Sequence, residues 1–209
     1  MDKTIVVLGG SFNPPTKAHT ALLKSAVEQL DASFGIFVPS SKAYVERKMS
    51  KQKSFAYSEE QRLSMLEAIC KDNPTLRVDD CEYGDDGRGH TYDTLCKLQM
   101  KYPGYKLIFV IGADKLTIVP RWHNHETFFK NFEFAVTHRN DIDIDKTISN
   151  DATLAKYRSI FHEINVDDSL SDVSSTIARL YITKRNKKVL TDILEPSTMQ
   201  FILRERQCH

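Results

Sequence analysis

The chain has 209 residues, 41% hydrophobic, 10% aromatic and 27% charged, the profile of a soluble globular protein and not of a disordered one. At 24.0 kDa it has the size of one ordinary domain, long enough to bury roughly 70% of its unfolded surface without staples. Lysine plus arginine (29) less aspartate plus glutamate (28) leaves a net charge of +1, which excludes a global electrostatic case for nucleic acid or an anionic membrane as the main partner.

Thr4 to Leu8 (TIVVL) is a continuous β-branched, apolar run, the mark of a strand buried on both faces. It is too short for a signal-peptide core, and no apolar run approaches the length of a membrane span. After Gly9, Gly10 and a Pro14-Pro15 turn, Ala18, Leu22, Ala26 and Leu30 fall at helical spacing. Phe34 to Val38 predicts the next strand. Residues 40 to 53 carry Lys42, Arg47, Lys48, Lys51 and Lys53 and read either as a solvated mobile loop or as a flexible basic lid. Ser58 with Gln61 forms a capping-box start for a helix bearing Leu63, Leu66 and Ile69. Leu76 to Val78 is a short strand, Thr91 to Met100 a helix, and Lys106 to Ile111 (KLIFVI) a second fully apolar strand. A short helix with Phe128 and Phe129 precedes a strand at 132 to 137. Residues 139 to 155, rich in Asp and Asn, read as a surface excursion. A last strand at 160 to 166 is followed by helices over 174 to 183 and 196 to 206.

Uninterrupted apolar strands alternating with helices predict an α/β fold, a doubly wound, Rossmann-like parallel sheet with helices on both faces. Ligands of such sheets bind beyond the carboxyl ends of the strands. The four cysteines (Cys70, Cys81, Cys96, Cys208) lack CxxC spacing and read as reduced thiols of a cytoplasmic protein. The close pair His123 and His125 has no second ligand pair at metal spacing, so no protein metal site is expected.

Three stretches carry candidate chemistry. Gly9 to His19 (GGSFNPPTKAH) links the first strand to its helix, where glycines and free N–H groups suit a phosphate. A plain turn, with His19 capping or at the surface, fits the spacing equally. Neither the dinucleotide fingerprint nor the P-loop pattern is present. Ser174-Ser175-Thr176 with Arg179 opens a late helix and reads either as an anion site or as an ordinary serine cap. Trp122, the single tryptophan, reads as core or as a stacking platform.

The first stretch resembles the nucleotidylyltransferase signature G-x-[FY]-[DN]-P-x-H-x-G-H, matched by Gly10, Phe12, Asn13, Pro14 and His19. Thr16 replaces its first His and Ala18 its Gly, as in eukaryotic nicotinamide mononucleotide adenylyltransferases. Ser174 to Arg179 is similar to the superfamily's SSTxxR element. Ile111-Gly112-Ala113-Asp114 with Pro120-Arg121-Trp122-His123, and Gly89 to Leu95, resemble the GAD…W and S-Y-T-x-D-T-L segments of the nicotinamide and nicotinate mononucleotide adenylyltransferases.

The resemblance implies one nucleotidyltransferase domain over 1–209, with a Rossmann-like core to about 170 and a C-terminal helical part from 171. It implies AMP transfer from ATP, with Mg²⁺, to nicotinamide or nicotinate mononucleotide, giving NAD or deamido-NAD and pyrophosphate. His19 would donate to the α-phosphate and act with Arg179 in catalysis. Gly10, Ser11, Phe12, Thr16, Gly112, Asp114, Arg139, Ser174, Ser175 and Thr176 would complete the ATP side. Ser11, Phe12, Lys48, Thr91 and Trp122 would receive the mononucleotide. Asp114 would hold a ribose hydroxyl or cap the next helix. Partners would be these small molecules, without nucleic acid or membrane, and a homo-oligomer is left open. Lys184 to Lys188 reads as a solvated helix end or a nuclear import signal. The amide or acid substrate stays open, as do a pantetheine-phosphate adenylyltransferase and a nucleotide-binding regulator without turnover.

Overall fold

The computed structural model describes residues 3–87, 90–138, 142–170 and 172–207. Six strands, β1 (Lys3–Gly10), β2 (Phe34–Pro39), β3 (Leu76–Val78), β4 (Tyr105–Gly112), β5 (Glu133–Thr137) and β6 (Phe161–Ile164), form one sheet in the order β3-β2-β1-β4-β5-β6. Every neighbouring pair is parallel. The order reverses between β1 and β4, which opens a crevice at their carboxyl ends.

The apolar strands alternate sides, and both sides are covered. Ile5, Val7, Phe109 and Ile111 face α4 (Thr91–Lys101) and α5 (His125–Asn131), through Leu95, Leu98, Phe128 and Phe129. Val6, Leu8, Ile108 and Val110 face α1 (Lys17–Gln29) and α3 (Glu59–Lys71), through Leu23, Val27, Leu66 and Ile69. A Cβ at Gly35 would lie 2.7 Å from Leu23 Cγ, so α1 can sit this close to β2 only over a glycine. The predicted capping box of α3 is present, Ser58 Oγ accepting from Gln61 N–H at 3.2 Å and Gln61 Oε1 from Ser58 N–H at 2.9 Å.

Two segments differ from the sequence expectation, and after the solvated end of the helix Ser175–Thr183 stands a helix outside that expectation. Residues 40 to 53 hold a helix, α2 (Lys42–Lys51), whose Val45 and Met49 are buried one turn apart. Residues 139 to 155 carry α6 (Ile144–Ser149) and α7 (Ala152–Lys156), each started by an aspartate cap, Asp143 or Asp151. The aspartates that suggest a loop are the caps, and Ile144, Ile148 and Leu154 enter the core. The basic run after α8 (Ser175–Thr183) turns at Arg185 (φ 54°) into α9 (Lys187–Ile193). With α10 (Pro196–Gln207), α8 and α9 bury Ala178, Ile182, Leu190, Ile193 and Ile202 against Met65 of α3.

Candidate functional site

A cavity of about 520 Å³ opens where Gly9 and Gly10 end β1 and Ile111 and Gly112 end β4, at the reversal of strand order. The segment following β1 is braced from several sides. Asn13 is fully buried; its side chain donates to Phe55 O (2.9 Å) and accepts from Tyr57 N–H (2.8 Å). Phe12 turns its ring inward, edge-on to Phe37 at 5.4 Å and to His19 at 5.2 Å. To do so it adopts φ 42°, a left-handed conformation that is costly for an aromatic residue and is characteristic of functional turns.

Thr16 caps α1 and fixes His19. The backbone N–H of Thr16 donates to His19 Nδ1 at 3.1 Å, and the Thr16 hydroxyl lies 2.8 Å from the same nitrogen. With Nδ1 accepting, the neutral ring carries its proton on Nε2, as a donor. His19 lines the cavity, whereas Thr16 is fully buried and off its wall. Thr16 thus orients the histidine.

Across the cavity Ser174 caps α8, accepting from Ile177 N–H at 3.3 Å, and Ser175 Oγ donates to Pro14 O at 2.8 Å. Arg179 is 5% exposed. It donates to Asn13 O (2.9 Å), Ser54 Oγ (2.8 Å), Gln52 Oε1 (2.7 Å) and Thr176 Oγ1 (3.3 Å). All four acceptors are neutral, so among the described residues the charge itself is unmatched and suits an anion. Burial holds its pKa below the usual arginine value. Lys48 reaches over from α2, Nζ donating to Ser11 Oγ at 3.1 Å. Burial and then the charges of Arg179 and Lys115 push its pKa down. Lys115, which the sequence reading missed, lines the same cavity and pairs with Asp114 Oδ2 at 2.6 Å. Its place directly after Gly-Ala-Asp at a strand end was the available signal.

The far end of the cavity is different. Trp122 packs against Phe128 (5.9 Å), Phe109 (6.4 Å) and Phe134 (6.5 Å), while it also lines the cavity. This tryptophan is therefore both packed among core aromatics and present on the cavity wall. Thr91, at the start of α4, is on the wall with Glu82 and Asp85, which the sequence reading also missed. Burial pushes the Glu82 carboxyl up, and Thr94 Oγ1 donates to it at 2.8 Å. His90 and His123 stack at 4.4 Å, joining the start of α4 to the residue after Trp122.

Of the predicted residues, Gly10, Ser11, Phe12, His19, Lys48, Thr91, Gly112, Trp122, Ser174, Ser175, Thr176 and Arg179 meet on this one cavity. Asp114 sits behind its wall in a single 3-10 turn capped by Gly112, so it caps no helix; its Oδ1 is buried and unpartnered among the described residues. Arg139 lies outside the described residues. Cys70 and Cys81 are pushed up to about 12 by burial, which removes them as nucleophiles. Among the described residues no group of three or more His, Cys, Asp or Glu side chains could hold a metal ion. No helix among them is long and apolar enough to cross a membrane.

Comparison with known proteins gives the same picture. The cytidylyltransferase-like family model matches residues 7–180. A "Probable nicotinate-nucleotide adenylyltransferase" of Lachnoclostridium phytofermentans is 31% identical over 178 residues, 85% of this chain and 86% of that one. A protein of the same name from Nitratiruptor sp. is 33% identical over 184 residues, 87% and 90% of the two chains. Among solved structures, Plasmodium falciparum nicotinic acid mononucleotide adenylyltransferase complexed with NaAD superposes with a TM-score of 0.72. That match has 21% identity and covers 97% of this chain and 96% of that one; it establishes the shared fold.

Proposed function

Since the chain belongs to the cytidylyltransferase-like family, and within it to the nicotinate-nucleotide adenylyltransferases, we propose that it transfers AMP from ATP to nicotinate mononucleotide. The products are deamido-NAD and pyrophosphate. The observation that carries this reading is the phosphate end of the cavity. There a histidine held as an Nε2 donor shares the wall with Arg179, Lys48 and Lys115, a set of donors and cations suited to phosphate charge.

The chemistry needs no enzyme nucleophile. An oxygen of the mononucleotide's 5′-phosphate attacks the α-phosphorus of ATP in line; the new P–O bond forms as the bond to the β-phosphate oxygen breaks. The attacking phosphate is already an anion, so the protein's task is positioning and charge stabilisation. His19 Nε2–H donates to the α-phosphate as it passes through its five-coordinate state. The N–H groups of Ser11 and Phe12 hold phosphate oxygens. Arg179 and Lys48 receive the charge that accumulates on the departing pyrophosphate. Magnesium would enter with ATP and would supply neutralisation of phosphate charge, with no cluster of His, Cys, Asp or Glu among the described residues asked to hold it. Trp122 offers its face to the pyridine ring, and Thr91 begins a helix whose N–H groups suit the ring's carboxylate. A reducing cytoplasmic setting fits the free thiols of Cys70, Cys81 and Cys96.

The test is pyrophosphate release by purified protein given ATP, Mg²⁺ and each mononucleotide in turn. A kcat/KM higher for the nicotinate than for the nicotinamide form supports the reading. Silence with both, alongside measurable binding of NAD, replaces it with a nucleotide-binding regulator.

A further inference from the structure

Arg62 lies on α3, beneath the phosphate loop, and is fully buried. Removing a guanidinium from water is expensive, and a buried one is normally matched by a carboxylate or by a full set of acceptors. Arg62 has neither. Its single hydrogen bond runs from Nη1 to the carbonyl oxygen of Ser11 at 3.1 Å. Nε and Nη2 have no hydrogen-bond partner among the described residues. The guanidinium lies 5.4 Å from the centre of the Tyr83 ring, which is fixed by its hydroxyl donating to Glu59 O at 2.9 Å. Burial lowers the Arg62 pKa, but an arginine so placed remains charged.

The Ser11 carbonyl belongs to the same peptide group as the Phe12 N–H. That peptide is not among the cis bonds of the chain, so C=O and N–H point in opposite directions in one plane. Drawing electron density toward the carbonyl makes the N–H at the other end a stronger donor. The Phe12 N–H donates to no group in the described structure, and both Ser11 and Phe12 line the cavity. A full positive charge is thus placed behind one peptide whose donor end is unused.

We propose that Arg62 is a positioning residue of the transfer reaction, which orients the Ser11–Phe12 peptide and polarises it so that the Phe12 N–H binds phosphate charge. The proposal rests on the adenylyl-transfer reading for its substrate. It adds a cation that acts through a peptide without touching the nucleotide. Arg179 cannot play this part by the same route. Its backbone acceptor in the loop is Asn13 O, and the peptide that follows ends on Pro14, which has no N–H.

The experiment compares Arg62→Lys and Arg62→Gln with the wild type in full kinetics, with thermal melts to establish folding. Lysine keeps the charge and a donor; glutamine keeps only a neutral donor. The expected result is a kcat lowered roughly tenfold in R62Q and within about threefold of wild type in R62K. The KM for the mononucleotide should stay unchanged in both. A folded R62Q with wild-type kcat, or an R62K as impaired as R62Q, overturns the proposal. A purely structural role would lower both variants together. Should R62Q fail to fold, ¹⁵N-phenylalanine labelling compares the wild type with R62K in MgATP alone and tests the donor on which the proposal depends. The Phe12 amide proton must then move downfield, and an unmoved amide overturns the proposal. That arm is independent of turnover. A protein that shifts the amide but transfers no AMP refutes the adenylyl-transfer reading and leaves the Phe12 N–H as a phosphate donor.

Discussion

At the end of the cavity to which we assign the phosphates, the polar groups are tied down. Arg179 makes four hydrogen bonds at 5% exposure, His19 is pinned through Nδ1 by its own helix cap, and Asn13 clamps the loop to residues 55 and 57. At the end to which we assign the pyridine ring, Trp122 is held by ring packing and Thr91 by the first turn of its helix. The rings of His90 and His123, both solvent-exposed, stack across the two segments. The walls differ in charge too. Lys48, Lys115 and Arg179 repel one another at the first end, while Glu82 and Asp85 share the wall with Thr91. Rigid donors suit a charge distribution that changes during the reaction. Packing contacts suit a group that is bound and does not react. Changes at the first end should therefore fall on kcat and on nucleotide use, changes at the second on the mononucleotide KM.

The largest expected effect is at Arg179. Arg179→Met removes the buried charge and leaves Asn13, Gln52 and Ser54 without their common donor. We expect kcat/KM for ATP to fall roughly 10³-fold and the melting temperature to drop. Arg179→Lys should recover little, because one ammonium cannot span acceptors arranged around a planar fork. Recovery to near wild type would mean that only charge matters there. Next comes His19→Ala, with kcat lower by at least about 10²-fold. Its melting temperature should fall less than that of Arg179→Met, since Thr16 still caps the helix through its backbone. An unchanged kcat removes His19 from the transition state. At the other end, Trp122→Ala should raise the mononucleotide KM roughly tenfold with kcat and the ATP KM nearly constant. A loss shared equally between the two substrates would erase the division between the ends.

How far these differences could be read from sequence follows from what each residue depends on. The strands TIVVL and KLIFVI are legible because a strand buried on both faces must be apolar at every position. Helix α2 is not legible in that way, since Val45 and Met49 are two apolar residues inside a charged run. Helices α6 and α7 are hidden because Asp143 and Asp151, which signal a turn, are caps here. The phosphate-end motifs are local in sequence, and so His19 and Ser174 to Arg179 could be found by pattern. Arg62 and Glu82 could not. An arginine on a helix reads as a solvated face, and only the packing of α3 beneath the loop buries it. Asp114 was legible as an acid at a strand end, but its pairing with Lys115 was not.

The smallest predicted effect separates Lys115 from its neighbours. In the proposed role Lys48 must be protonated to meet phosphate, and in the free protein its pKa is held down by burial, by Arg179 and by Lys115. A lysine with a lowered pKa loses its charge earlier as pH rises. The alkaline limb of ATP use should therefore begin below the ordinary lysine range. Lys115→Met deletes one of the repelling charges and raises the Lys48 pKa toward normal, so that limb should move to higher pH. At neutral pH the same variant loses a cation near phosphate, and the ATP KM should rise about threefold. The two effects have opposite sense, which makes them separable in one pH series. A variant whose alkaline limb stays in place would mean that burial alone sets the Lys48 pKa. The sign for stability also follows. Since the folded state disfavours charged Lys48, that group opposes folding at neutral pH, and its penalty fades as pH rises from the lowered folded pKa to the unfolded value. Lys115→Met should reduce this penalty, although loss of the Asp114 pair at 2.6 Å works against it. A melting series from neutral to alkaline pH should then show a smaller pH-dependent gain in stability for the variant than for the wild type.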